Sequence, residues 1–289
     1  MVIEISSDSR IDINHHFRVS AGPGAGKTHW LSLHVSHVLK DSESLGKMGK
    51  VACLSYTNVG ADTLMGRMYE DRSRVLSCTI HSFLYAYIVK PYLHFIATDE
   101  GFNIELLNGE DDRILSDYNT FEEIRKAVKQ YYAEQDATFT AIRAAKWKLQ
   151  EDGSLKCYAN PPKKCCKKGY ALNENAYVVY KKLAWKKGYM HYDDVLYFSY
   201  KLIQKYPFIS RTLAIQFPYV FIDEFQDTNP IQAKIIKSLG ENGAIVGVIG
   251  DYAQSIYGFL GADPNQFASF TLDGLLDYTI LDNRRSSNE

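Results

Sequence analysis

Short apolar runs and longer amphipathic runs follow one another at both ends of this sequence. The apolar runs are too short for helices and are typical of buried strands; they occupy residues 17–20, 51–56, 75–79, 219–222, 244–249 and 278–281. Between them the periodicity predicts helices over residues 29–39, 59–69 and 230–239, and an aromatic helix from about His81. This alternation predicts an α/β fold built on a doubly wound parallel sheet.

The middle of the sequence has a different pattern. Residues from about 90 to 188 are mostly helical by periodicity, with amphipathic helices predicted over residues 120–132 and 138–150. We therefore predict one α/β domain in two segments, residues 1–88 and 190–289, with an inserted, mostly helical subdomain at residues 89–189.

A lysine-rich tract at residues 160–169 is predicted to be a loop, because it contains two prolines and ends in a glycine. Its four lysines suit contact with a phosphate backbone. A solvated surface loop explains them equally well, so both interpretations stay open.

Composition narrows the class of protein only partly. The chain has 289 residues, of which 46% are hydrophobic, and no apolar run approaches the length of a membrane span. No signal peptide is recognisable at the N-terminus, so we expect a cytoplasmic protein without a membrane partner. Five cysteines in no zinc-binding spacing predict reduced thiols. A net charge of −1 neither supports nor excludes binding to nucleic acid.

Two carboxylates follow the apolar run at residues 219–222. Asp223 and Glu224 should lie at the carboxyl edge of the sheet, where open α/β sheets bind ligands. Adjacent carboxylates are costly there unless they hold a cation. We therefore predict that they bind Mg²⁺ and activate a water molecule.

A glycine-rich segment supplies the matching phosphate cradle. It follows the first predicted strand, precedes a helix, and consists of Ala21, Gly22, Pro23, Gly24, Ala25, Gly26, Lys27 and Thr28. Strand, glycine loop and helix are the context of a P-loop, in which backbone N–H groups, a lysine and a hydroxyl contact phosphates and Mg²⁺. An ordinary glycine turn is the alternative, and the downstream acidic strand weighs against it.

Seven segments, taken in order, resemble the motifs of UvrD/Rep-type superfamily 1 DNA helicases. They are residues 21–28 (motif I), 54–61 (Ia), 78–83 (Ib), 192–196, 223–228 (II), 250–259 (III) and 281–286 (IV). The resemblance covers almost the whole chain. It implies a RecA-like P-loop NTPase domain that uses ATP and Mg²⁺.

The resemblance also implies roles for single residues. ATP would be bound by residues 21–28 with Gln226 and Arg284, and Mg²⁺ by Thr28 and Asp223. Glu224 would activate water, assisted by Asp223, and phosphates would be contacted by Lys27, Gln254 and Arg285. Single-stranded DNA would be bound by Tyr56, Thr57, Asn58, His81, Tyr257 and Phe259. Core packing is the alternative for each aromatic residue taken alone.

The implied activity is an ATP-dependent helicase or translocase moving 3′ to 5′ on single-stranded DNA or a 3′-tailed duplex. Such helicases carry motifs V and VI on a second RecA-like domain, and this sequence ends shortly after motif IV. We therefore expect an N-terminal half with little activity alone. Two alternatives stay open: a nucleotide-gated DNA-binding or regulatory subunit, and the helicase component of a Gabija-like antiphage system with a nuclease partner.

Overall fold

The computed structural model describes residues 2–68, 72–251 and 265–281. The chain divides into two compact units, the first formed by Met1–Tyr87 with Ile203–Glu289 and the second by Ile88–Leu202. The predicted domain limits at residues 88/89 and 189/190 stay predictions.

Nine strands lie in the described residues. They are β1 (Val2–Ile5), β2 (Phe17–Ala21), β3 (Val51–Ser55), β4 (Val75–Thr79), β5 (Lys146–Leu149), β6 (Leu155–Tyr158), β7 (Tyr219–Ile222), β8 (Ile245–Gly250) and β9 (Leu276–Ile280). All the strands predicted from the sequence are present, with ends shifted by a residue or two. β1 was not predicted, because Glu4 interrupts its apolar residues and most of the strand is exposed.

Helices connect these strands. The α-helices of the described residues are α1 (Lys27–Asp41), α2 (Asn58–Arg67), α3 (Ile80–Leu84), α4 (Lys90–Tyr92), α5 (Ala97–Glu100), α6 (Tyr118–Ala127), α7 (Gln135–Arg143), α8 (Glu174–Lys186), α9 (Tyr192–Lys205), α10 (Phe208–Gln216), α11 (Pro230–Glu241) and α12 (Asn265–Ser269). A π-helical turn, Tyr85–Val89, follows α3. Among the described residues, no helix combines the length and the apolar character that crossing a membrane requires.

In the first unit, seven parallel strands form one sheet in the order β1-β9-β2-β8-β7-β3-β4. β8 therefore lies between β2 and β7, with Ser20 beside Gly250 and Ile222 beside Val248. The carboxyl ends of β2, β8 and β7 consequently meet at one edge of the sheet. The predicted α/β class with a parallel sheet is confirmed.

An aromatic cluster fills the space between this sheet and α1. Phe17 contacts Trp30, His34 and Phe221 with ring centroids 4.9–5.5 Å apart, and all four side chains are buried. Burying rings of this size supplies much of the stability of such a layer. The cluster fixes α1, and therefore the loop before it, against the centre of the sheet.

The second unit is mostly helical and contains one two-stranded antiparallel sheet, β5–β6. The helix predicted over residues 138–150 was wrong beyond Arg143, where α7 ends and β5 begins three residues later. β5 pairs with β6 across the turn that contains Gly153, and the Asp193 carboxylate accepts a hydrogen bond from the Trp147 N–H. Tertiary partners therefore override the helical periodicity here.

The core of this unit surrounds one fully buried carboxylate. Asp194 accepts hydrogen bonds from the indole N–H groups of Trp147 at 3.0 Å and Trp185 at 2.9 Å. It also pairs with Lys181 at 2.7 Å and accepts the His191 backbone N–H at 3.1 Å. This single side chain thus joins β5, α8 and the start of α9.

Candidate functional site

The glycine-rich loop connects β2, an interior strand of the sheet, to α1. Gly24 and Gly26 have φ angles of 80° and 87°, in the left-handed region that a side chain disfavours. This geometry turns the chain so that α1 begins at Lys27, with no acidic residue in its first turn. A 15-residue helix presents unpaired N–H groups and the positive end of its dipole at this point, which suits an anion.

The acidic pair follows β7, whose four residues are all buried. Glu224 has a φ of 53°, although it is not a glycine, and its N–H donates to the Asp223 carboxylate at 3.0 Å. A non-glycine residue held in the left-handed region costs free energy and is common at functional sites. The turn directs the two carboxylates differently, so that Asp223 is buried while the Glu224 side chain is 40% exposed.

These two segments converge in space. The Thr28 hydroxyl donates to the Asp223 carboxylate at 3.5 Å, and the Lys27 ammonium lies 3.8 Å from a Glu224 carboxylate oxygen. Lys27 also donates to the Ala21 carbonyl at 3.3 Å, so its side chain folds back over the loop. The convergence follows from the strand order, which separates β2 from β7 by only one strand.

Burial shifts the pKa of one carboxyl group of the site, that of Asp223. It raises the pKa of Asp223 to about 6, and the negative charge of Glu224 adds to the effect. The backbone hydrogen bond from Glu224 and the nearby Lys27 and Thr28 oppose the shift without cancelling it. A carboxylate with a raised pKa lacks sufficient cationic partners, and a bound cation would restore its charge.

The donor set fits Mg²⁺. Thr28 Oγ1 and Asp223 Oδ2 lie 3.5 Å apart, while two adjacent ligands of octahedral Mg²⁺ lie about 3 Å apart. Within the described part of the chain, no group of three or more histidine, cysteine, aspartate or glutamate side chains is arranged to hold a metal. Few protein ligands are the rule for Mg²⁺, because it keeps waters and binds substrate phosphates.

Gln226 connects the acidic pair to the end of β8. Its amide donates to Glu224 Oε2 at 2.7 Å, and its carbonyl oxygen accepts the Asp251 backbone N–H at 3.1 Å. Gly250 leaves room for this contact, since a Cβ there would lie 2.7 Å from Gln226 Oε1. The sequence predicted Gln226 as a site residue but assigned no role to Gly250 or Asp251; the glycine at the strand end was the available signal.

The predicted DNA-contacting residues differ in exposure. Tyr56 is 46% exposed, and Asn58 is exposed at the start of α2. Thr57 is also exposed, and its hydroxyl caps that helix by accepting the Gly60 N–H at 3.1 Å. His81 is buried at the start of α3. Both segments follow neighbouring strands, because β3 pairs with β4.

Five predicted site residues lie outside the described part of the chain. They are Gln254, Tyr257, Phe259, Arg284 and Arg285. Their predicted contacts with phosphates, nucleotide and DNA stay predictions.

A family model described as the UvrD/REP helicase N-terminal domain matches residues 7–273. The chain belongs to the UvrD/REP helicase family. The resemblance noted from the motifs is therefore confirmed.

Relatives of this UvrD/REP domain are larger proteins. The ATP-dependent DNA helicase srs2 of Schizosaccharomyces pombe is 26% identical over 278 residues, covering 90% of this chain and 30% of that protein. The ATP-dependent DNA helicase PcrA of Leuconostoc citreum is 24% identical over 270 residues, covering 91% and 34%. DNA helicase II of Haemophilus influenzae is 36% identical over 97 residues, covering 34% and 13%. The chain spans about a third of the length of the curated relatives that it matches along most of its own length.

Proposed function

We propose that this chain carries the nucleotide-binding half of an ATP-dependent DNA helicase or translocase, which moves 3′ to 5′ on single-stranded DNA in the cytoplasm. The observation that carries the proposal is the convergence of Lys27 and Thr28 with Asp223 and Glu224 at one edge of the sheet. Two phosphate-binding groups facing two carboxylates form a site for a nucleotide with its cation.

The loop geometry supports ATP binding. The N–H groups at the start of α1 would contact the β- and γ-phosphates, and the Lys27 ammonium would move from the Ala21 carbonyl and Glu224 onto their oxygens. Thr28 Oγ1 and Asp223 would hold Mg²⁺, which when bound neutralises phosphate charge. In the complete site, Arg284, Arg285 and Gln254 would contact the nucleotide from beyond the described residues.

Glu224 is suited to activate the attacking water. Its side chain is the more exposed of the two carboxylates, and Gln226 holds one of its oxygens at 2.7 Å. The remaining oxygen can accept a proton from water while Asp223 stays with the cation. Charge stabilisation around the transferred phosphoryl group, rather than covalent chemistry, supplies most of the rate.

Single-stranded DNA would bind across the carboxyl ends of β3 and β4. The exposed ring of Tyr56 offers a face for a base, and Asn58 offers a polar contact beside it. Stacking of one base on such a ring contributes about 1–3 kcal/mol. Thr57 and His81 would support this surface, and Tyr257 and Phe259 would extend it.

The test separates nucleotide binding from hydrolysis. Saturating Mg²⁺ with a non-hydrolysable ATP analogue should raise the free energy of unfolding by about 2.7 kcal/mol at 100-fold the dissociation constant. Lys27→Ala should lose this stabilisation, whereas Lys47→Ala, an exposed lysine outside the site, should keep it. Thermal unfolding with and without the analogue measures the stabilisation of both variants.

Glu224→Gln should keep the stabilisation by the analogue and lower DNA-stimulated ATP turnover at least about 100-fold. Equal turnover in Glu224→Gln and the unaltered chain would remove Glu224 as the base. Because little turnover is expected of this half alone, even a small DNA-stimulated turnover in the unaltered chain would favour the motor over a nucleotide-gated DNA-binding module.

A further inference from the structure

The lysine-rich tract of the second unit is a loop, as predicted, and backbone hydrogen bonds close it into a hairpin. Its residues are 163–172, and we refer to it as the lysine hairpin. The Leu172 N–H donates to the Lys163 carbonyl at 2.9 Å, and the Cys165 N–H donates to the Tyr170 carbonyl at 2.8 Å. The Gly169 N–H closes the turn on the Cys166 carbonyl at 3.0 Å. Lys167 and Lys168 therefore occupy the tip of a tight turn.

Two polar residues pin the hairpin to the body of the unit. The Glu134 N–H donates to the Cys165 carbonyl at 2.8 Å, and its carboxylate accepts the Lys167 N–H at 3.2 Å. The Gln130 amide donates to the Ala171 carbonyl at 3.0 Å. Cys165, Cys166 and Leu172 are buried beneath. A hairpin held in this way presents its side chains in fixed positions and loses little entropy on binding.

The outer face of the hairpin is strongly positive. Lys163, Lys164, Lys167 and Lys168 are all exposed. No ion pair with a carboxylate is found for any of them within the described residues, and the nearby Glu134 carboxylate is occupied by a backbone N–H. Four positive charges within six residues stand out on a chain whose net charge is −1. Such a cluster attracts a polyanion.

Two tyrosines flank the lysines. Tyr132 and Tyr170 are 49% and 55% exposed, and their ring centroids lie 5.1 Å apart. The hydroxyl of Tyr132 accepts a hydrogen bond from the Gln130 amide at 3.0 Å, which fixes that ring. Exposed rings beside lysines are the combination that binds single strands, because unpaired bases stack on the rings while phosphates meet the cations.

We propose that the lysine hairpin, with Tyr132 and Tyr170, is a second contact surface for single-stranded DNA. The inference rests on the proposed action on DNA, and it assigns that binding to residues other than those at the ends of β3 and β4. A duplex would satisfy the lysines but not the tyrosines, since its base faces are already stacked. The surface therefore favours single strands.

The experiment is a titration of the full chain with fluorescently labelled oligodeoxythymidylate at several salt concentrations, followed by anisotropy. The slope of log K against log salt should become shallower by about 3 when all four lysines are replaced by alanine. The fourfold Lys→Arg variant should keep the slope. Lys167→Ala/Lys168→Ala should weaken binding, whereas Lys156→Ala/Lys182→Ala, two exposed lysines on β6 and α8, should not. Tyr170→Ala should lower affinity about 5-fold or more with an unchanged slope.

Several outcomes would overturn the inference. One is an unchanged slope in the fourfold alanine variant, and another is no binding of the oligonucleotide by the unaltered chain. A third is that the hairpin variants lose binding to a blunt duplex as strongly as they lose binding to the single strand. Thermal unfolding with the ATP analogue identifies a separate failure of the proposed function, because the hairpin variants should keep the analogue's stabilisation. If Lys27→Ala loses the analogue's stabilisation and the hairpin variants keep it, then any loss of oligonucleotide binding in the hairpin variants is separate from nucleotide binding.

Discussion

Two buried aspartates, one in each compact unit, show opposite ways of carrying a charge inside this protein. Asp194 of the helical unit is fully buried, and burial opposes its charge. Lys181 and His191, supported by their hydrogen bonds, nevertheless hold its pKa below the ordinary value. Asp223 at the edge of the sheet is also buried, yet its pKa is raised to about 6. The two pKa values shift in opposite directions because Asp194 has more hydrogen-bond donors than Asp223 and a cation within 2.7 Å.

The comparison separates a structural charge from a functional one. Asp194 has all of its partners in the folded chain, so it contributes to folding. Asp223 has a hydroxyl at 3.5 Å and a backbone N–H at 3.0 Å, and its neighbour Glu224 repels its charge. A buried carboxylate with few hydrogen-bond donors lowers the stability of the folded protein, and the same lack of donors favours binding of a cation. We expect substitutions at the two positions to change stability in opposite directions.

The largest effect is expected for Asp194→Asn. The two indole N–H groups bond different oxygens of Asp194, so an asparagine keeps an acceptor for only one of them. The substitution also removes the carboxylate that lies 2.7 Å from the buried Lys181 ammonium. Breaking a buried pair in this way costs about 3–5 kcal/mol of the free energy of unfolding. Urea denaturation at pH 7 measures it, and Lys181→Met combined with Asp194→Asn should recover part of the loss. A cost below about 1 kcal/mol for the single variant would contradict the structural role.

Asp223→Asn should have the opposite sign and a smaller size. The folded pKa is raised, to about 6 from an ordinary 3.8, so the carboxylate destabilises the folded state most above pH 6. That penalty falls as the pH drops from 6 to 4, because the folded protein then binds the proton. Removing the charge should therefore raise the free energy of unfolding at pH 7 by about 2 kcal/mol.

Urea denaturation at pH 7 and pH 4 tests this prediction. The gain should be largest at pH 7 and nearly absent at pH 4, and Asp152→Asn, an exposed aspartate, should show no such gain. Stabilisation by Mg²⁺ with the ATP analogue should be weakened in Asp223→Asn. If Asp223→Asn is less stable than the unaltered chain at pH 7, then Asp223, like Asp194, stabilises the fold, and the prediction is wrong.

The contrast also shows where sequence reasoning succeeds. Continuous apolar runs and glycine spacing predicted the parallel sheet, the P-loop and the acidic edge, because each depends on short-range pattern. The same reasoning wrongly extended a helix through residues 144–150, because the local sequence does not show that the backbone N–H of Trp147 donates to the Asp193 carboxylate. It likewise gave no sign that Asp194 accepts hydrogen bonds from both β5 and α8 and pairs with Lys181. Partners distant in sequence decide those features, and periodicity does not contain them.

The smallest effect is expected at Gln226, which donates to Glu224 and accepts the Asp251 backbone N–H. Gln226→Ala removes the donor to Glu224 and leaves the buried Asp251 N–H without its acceptor, at a cost of about 1 kcal/mol of the free energy of unfolding. Gln226→Glu keeps an acceptor for that N–H but places a third carboxylate beside Glu224 and Asp223. The added repulsion should raise the pKa of Asp223 further, so that Gln226→Glu loses more stability at pH 8 than at pH 5. Urea denaturation at both pH values measures the difference, and a loss independent of pH would show that Gln226 acts on the backbone alone.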